Sequence, residues 1–295
     1  MFGAADFSSD NPSPHERSAI APARAIKICA LLPEVETVNS CLQCAVAASR
    51  GFSSDIRAVH VGFGPRNTLA SAEEVDIQQL RDVYEGKPEV RLARIKAAFD
   101  NFVSTLPKGP PIRWKNDEGD IGAFVADEAL NADLIVIGQP IHLDASDALH
   151  CALFNAHRLV LVAPRNAHEG GMPLGRHIIV GWKPGEPIQH AVEAAMPWLK
   201  RAEKVSALWV EKHDAESYED SARQFFEKIE ISFEIISLKR NDLRVGAQLL
   251  GEASRMGGDC LLIGAFKHSA LWDALLGGVT RDVLTHAEIP VFLMR

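Results

Sequence analysis

Two stretches of the chain carry one hydrophobic pattern. Residues 121–140 read IGAFVADEALNADLIVIGQP, and residues 245–266 read VGAQLLGEASRMGGDCLLIGAF. Each opens apolar-Gly-Ala, runs through an amphipathic helix and closes on an Asp, four apolar residues and a Gly. Ile121, Phe124, Val125 and Ala129 share one helical face in the first copy; Val245, Leu249, Leu250 and Ala253 do so in the second. The runs LIVIG and CLLIG, after Asp133 and Asp259, have the length and composition of buried strands. Parallel strands read this way because helices cover both of their faces.

The pattern extends outward. IKICALL at 26–32 and HIIVGW at 177–182 predict first strands, each followed by a helix. Val38, Cys41, Leu42, Ala45 and Val46 line the first of these helices. Ile188, Val192, Ala195, Met196 and Leu199 line the second, which Pro197 should kink. IRAVHVGF at 56–63 and VSALWVE at 205–211 predict second strands; RLVLVAPR at 158–165 and IPVFLMR at 289–295 predict last ones. The first half has an extra helix over 90–106, with Ile95, Phe99, Phe102, Val103 and Leu106 in one stripe after a break at Gly86 to Pro88.

The order in each half is β-α-β-(α)-β-α-β-α-β. It predicts two tandem doubly wound α/β domains, each a mostly parallel five-stranded sheet with helices on both faces. They fall at 25–166 and 176–295, after a mobile tail over 1–24 and around a Gly- and Pro-containing linker at 167–175. So short a joint predicts that the halves pack together.

Composition narrows the function. The 295 residues are 47% apolar and 24% charged, enough to bury a core, and the net charge of −8 has the wrong sign for a nucleic-acid binder. No apolar run approaches the roughly 18 residues of a membrane span. The first 24 residues lack the apolar stretch of a secretory signal. Five cysteines spread over this length make no disulfide framework. The expectation is a cytoplasmic protein with no nucleic-acid and no membrane partner.

Residues 264–280, GAFKHSALWDALLGGVT, carry the candidate chemistry. They leave the carboxyl end of a buried strand, the edge where open α/β sheets gather ligands. Gly277 and Gly278 precede a helix with Val279, Val283 and Leu284 facing inward. A glycine pair there lets backbone N–H groups approach a phosphate, the helix N-terminus adds partial positive charge, and Thr280 offers a hydroxyl.

This segment resembles the universal stress protein family, whose nucleotide-binding members carry Gly-x2-Gly-x9-Gly-[Ser/Thr] after the fourth strand. The matching positions are Gly264, Lys267 in place of the second glycine, Gly277, and Gly278 at the Ser/Thr position. With the repeat, the resemblance covers about residues 26–295. It implies a tandem member: a non-enzymatic stress-response factor, at most a weak ATP hydrolase, binding ATP or another adenine nucleotide in its second half. The phosphates would lie over Gly264, Lys267, Gly277, Gly278 and Thr280, with His268, Ser269 and Val279 alongside, and the base near Gly181, Trp182 and Val210. In the first half the motif positions are Gly138, Ile141, Cys151 and Ala152, too eroded for a phosphate, so that half is expected to be a structural partner. Neither first strand ends in the family's acidic or amide residue; Lys183 stands there in the second half, which leaves Mg²⁺ open. The resemblance further implies that the last strands of the two halves pair as they would across a dimer, and that self-association is open to the chain.

Plainer roles stand beside these. Gly264, Gly277 and Gly278 can serve as turn and helix-entry residues. Ser269 can cap a helix, Trp272 can pack, and a loop His such as His268 is ordinarily solvated. Cys41-Leu-Gln-Cys44 invites a thiol-redox reading, although it lies within a helix and not at the N-terminus that would stabilise a thiolate. His142, His150 and His157 are too scattered for a metal site, and Glu34 and Glu36 read as solvated charges. There is no Walker loop and no Gly-x-Ser-x-Gly, so neither catalytic residues nor a metal is assigned. Two rivals to nucleotide binding follow: a nucleotide-free interaction scaffold of the same fold, acting on an unknown protein partner, and a redox protein using Cys41 and Cys44.

Overall fold

The apolar runs are strands and the amphipathic stretches are helices in a computed structural model describing residues 24–63, 79–106, 109–211, 218–265 and 278–295. The first half contains β1 (Ile26–Leu31), α1 (Val38–Ser49), β2 (Ser54–Phe63), α2 (Pro88–Thr105), β3 (Ile112–Gly119), α3 (Ile121–Leu130), β4 (Leu134–Gly138), α4 (Leu143–Phe154) and β5 (Val160–Ala163). The second contains β6 (His177–Gly181), α5 (Glu186–Ala194), α6 (Met196–Leu199), β7 (Lys204–Val210), α7 (Glu219–Lys228), β8 (Glu234–Leu238), α8 (Val245–Arg255), β9 (Cys260–Gly264), α9 (Gly278–His286) and β10 (Val291–Met294). Residues 79–84, ahead of α2, are also helical.

The two expected five-stranded sheets are one. All ten strands lie in the order β3-β2-β1-β4-β5-β10-β9-β6-β7-β8. Pairing within each half is parallel, in the doubly wound order 3-2-1-4-5. The halves meet where β5 runs antiparallel to β10, with Val162 opposite Val291 and Val160 opposite Leu293. The dimer-like pairing of the last strands is therefore present inside one chain, and it removes two edges that would otherwise be exposed.

Successive strand residues enter opposite layers: Ile28 and Ala30 belong to one apolar cluster, Cys29 and Leu31 to the other. Each of these strands is buried on both faces, as its unbroken hydrophobicity implies. The two halves are also tied through side chains. Trp198 of α6 donates its indole N–H to the Ala48 carbonyl of α1 at 2.9 Å, and its ring lies 5.4 Å from that of Phe292.

The repeated aspartates are structural clamps. Asp133 accepts the Lys27 amide at 2.9 Å, and Asp259 accepts the amides of Gly175, Arg176 and His177 at 2.9–3.2 Å. Each ties the entry of one central strand to the entry of its neighbour. Pro197 breaks its helix outright: α5 stops at Ala194, and Pro197 sits in the first turn of α6, where a missing N–H costs nothing. The three histidines do not share a helix, since α4 ends at Phe154 and His157 follows with φ 48°. Among the described residues no helix is long and apolar enough to cross a membrane.

Candidate functional site

In the second half, chain connections leave β6 in one direction and β9 in the other, so the sheet has its switch point between them. The flanking connections diverge there and open a crevice at the carboxyl edge. A cavity of about 190 Å³ occupies that place. Its walls are Gly181 of β6, Leu208 to Val210 of β7, Ile263 and Gly264 of β9, and Gly278, Val279 and Thr280 at the start of α9. Trp182, Lys183, Tyr218, Arg240, Val245 and Leu249 also line it. Gly181, Trp182, Val210, Gly264, Gly278, Val279 and Thr280, named from sequence, thus surround one space. Lys267, His268, Ser269, Trp272 and Gly277 lie outside the described residues.

The glycines have different duties. A Cβ on Gly264 would stand 2.8 Å from the Ile188 nitrogen and 2.9 Å from the Pro187 carbonyl carbon, so this glycine lets α5 approach β9. A Cβ on Gly181 would stand 2.7 Å from Ile263 Cγ2. Gly278 is helical and exposed, and among the described residues a Cβ there would meet nothing within 4 Å. It is the glycine whose missing side chain leaves room at the cavity wall.

Trp182 lines the cavity and is also packed on neighbouring aromatic residues. Its ring centroid lies 5.3 Å and 5.5 Å from those of Phe225 and Phe226, and its indole N–H donates to Ser221 Oγ at 3.1 Å. The ring belongs to the core and walls the cavity. Thr280 is buried at 3% exposure. Among the described residues, Lys183 and Arg240 supply the charged side chains of the lining, with no carboxylate beside them. Two cations beside a helix N-terminus create a locally positive place on a chain of net charge −8. Arg240 and Tyr218 escaped sequence reasoning: they follow β8 and precede α7, and belong to no motif.

In the first half a carboxylate of the chain itself meets the residues ahead of α4. Glu34 was expected to be solvated; it is 4% exposed. Its carboxylate accepts the amides of His142 at 2.9 Å and Ile141 at 3.2 Å, and the Thr37 hydroxyl at 3.2 Å. Burial pushes its carboxyl up, while the His142 and Ile141 amides pull it back. Leu31 lies opposite Ile137 as Gly181 lies opposite Ile263, each one residue before the glycine ending β4 or β9. By this register Glu34 corresponds to Pro184, and Pro33 to Lys183.

Both residues of the cysteine pair are packed in the core. Cys41 and Cys44 are both at 0% exposure, so Cys44 is as much a core residue as Cys41. Burial pushes both thiols far up, which suppresses the thiolate that redox chemistry needs. In native protein at neutral pH, iodoacetamide should label half-buried Cys151 first and leave Cys41 and Cys44 untouched for as long as the fold persists. Rapid modification of Cys41, read by peptide mass, would restore the redox reading. No group of three or more His, Cys, Asp or Glu among the described residues is arranged to hold a metal.

No family model matches the sequence, and no curated protein matches it. Solved structures do. A universal stress protein from Archaeoglobus fulgidus DSM 4304 superposes over 91% of this chain and 96% of its own length, with TM-score 0.56 at 12% identity. A functionally unknown protein from Pseudomonas aeruginosa PAO1 covers 92% of each chain with TM-score 0.50 at 13% identity. A Pseudomonas aeruginosa UCBPP-PA14 protein described as a universal stress protein covers 92% of this chain and 93% of its own, again at TM-score 0.50 and 13% identity. The fold of this chain is the one these universal stress protein structures share.

Proposed function

We propose that this chain is a cytoplasmic universal stress protein whose second half binds an adenine nucleotide without turning it over. One observation carries the reading: the crevice at the β6/β9 switch point joins the start of α9, Lys183 and Arg240 in a lining that, among the described residues, holds no carboxylate. About 190 Å³ is below the roughly 300 Å³ at which drug-sized pockets begin, so the base would enter and the phosphates would stay at the mouth, over α9. Gly278 gives a phosphate close approach to the backbone, and Thr280 offers a hydroxyl. Among the described residues no nucleophile paired with a base lines the cavity, which favours a sensor over an enzyme.

Calorimetry tests this. ATP, ADP or AMP, with and without Mg²⁺, should bind with about one equivalent per chain at up to millimolar ligand. Gly278→Val should abolish the heat while leaving the melting curve in place, because its Cβ meets nothing within 4 Å among the described residues but has no room beside a phosphate. Absence of heat with every nucleotide favours the rival reading, a nucleotide-free scaffold. On that rival's side is the first half, where Glu34 of the chain itself bonds the amides ahead of α4.

A further inference from the structure

The cavity of the second half is walled by the carboxyl ends of β6, β7 and β9, through Gly181, Val210 and Gly264. Its two cations come from either side of one strand. Lys183 lies two residues beyond the end of β6, and Arg240 two residues beyond the end of β8. β6 and β8 flank β7 in the sheet, so about 10 Å separates the strands that deliver them. Both residues are exposed, which puts them at the mouth of the cavity, not in its depth.

Mg²⁺ usually accompanies nucleotide phosphates, demands near-octahedral oxygen ligands and is held to a protein by one or two carboxylates. Among the described residues this lining offers two positive side chains and no carboxylate. That donor set does not fit the ion.

We propose that the second half takes its nucleotide free of metal, with Lys183 and Arg240 neutralising the phosphates in place of Mg²⁺. The inference rests on the nucleotide reading and names the ionic form of its ligand. A metal carried in on ATP would cancel the charge that attracts the two side chains. It would also set a divalent cation beside them, with no described carboxylate to balance the repulsion. Arg240 can fork onto two phosphate oxygens, and Lys183 acts as a compact point charge. The start of α9 adds its N–H groups to the same anion. A consequence for sensing follows. Charge and oxygen donors grow with the number of phosphates, so ATP holds Mg²⁺ more firmly than ADP or AMP does. Where Mg²⁺ is abundant, the site therefore fills with the shorter nucleotides in preference to ATP.

Calorimetry on the full chain tests this, at matched ionic strength because the effect is electrostatic. ATP in EDTA should bind about threefold or more tightly than ATP in excess Mg²⁺, while AMP should differ by less than about twofold between the two buffers. Arg240→Gln should weaken metal-free ATP roughly fivefold or more and bring the two ATP affinities within about twofold of each other. Its melting curve should stay in place, as for other exposed substitutions. Lys183→Gln should act in the same direction. If parent protein binds ATP equally well with and without Mg²⁺, or better with it, the proposal is overturned and the nucleotide reading stands. An unchanged metal-free affinity in Arg240→Gln overturns it as well. Absence of heat with every nucleotide in both buffers removes the nucleotide reading and this inference together, a pattern distinct from heat seen with Mg²⁺ alone.

Discussion

Gly264→Ala should destabilise the protein by about 1–3 kcal/mol or more, the range for forcing atoms into a filled core. The added methyl would sit 2.8 Å from the Ile188 nitrogen, 2.9 Å from the Pro187 carbonyl carbon and 3.0 Å from Pro187 Cβ. Two of these atoms are backbone, so no side-chain rotation relieves the contact. Nor can α5 retreat freely, because Ile188, Ala191 and Val192 are each fully buried beneath the sheet. The helix must shift or β9 must bend. Gly278→Ala is the paired control and should change stability by less than about 0.5 kcal/mol, as surface substitutions do. Urea melts of the two variants decide the matter. Equal stabilities would mean that Gly264 is not the packing glycine its surroundings make it. A large loss for Gly264 alone would separate the motif into one glycine that builds the fold and one that faces the cavity.

That separation marks what was legible in the sequence. Central strands such as LIVIG and CLLIG announce themselves because helices on both faces require apolar residues at every position. The third strands carry no such signal. β3 (IRWKNDEG) and β8 (EIISL) form the two ends of the sheet, where one side has no neighbour, and polar residues are tolerated along them. Their presence followed from the order of elements, not from their composition. The site was partly legible for a related reason. Gly181, Val210 and Gly264 end strands that the topology must bring to one edge, so a rule about switch points finds them. Arg240 and Glu34 obey no such rule. A charged residue in a loop reads as solvated, and only the folded chain shows that the start of α4 arrives beside Glu34, or that the turn after β8 delivers Arg240 to the cavity.

Phe292→Ala should cost about 3–5 kcal/mol, the range for truncating a buried aromatic residue, and lower the melting midpoint by roughly 10 °C. Phe292 has 0% exposure, and its strand is the seam of the molecule. It lies opposite Leu161 of the first half and beside Leu262 of the second, and its ring packs on Trp198, which is itself bonded to Ala48 across the joint. Truncation therefore empties space that both halves share. Because the sheet is continuous through β5 and β10, separating the halves would expose two strand edges and this apolar contact together. Unfolding should accordingly be one transition, and the variant should shift far-UV circular dichroism and tryptophan fluorescence by the same amount. Two resolved transitions, of which Phe292→Ala moves only one, would mean that each half holds its five strands without the other. A single shifted transition means that the seam stabilises both, so a ligand held between β9 and α9 would act on a strand array that runs unbroken from β8 to β3.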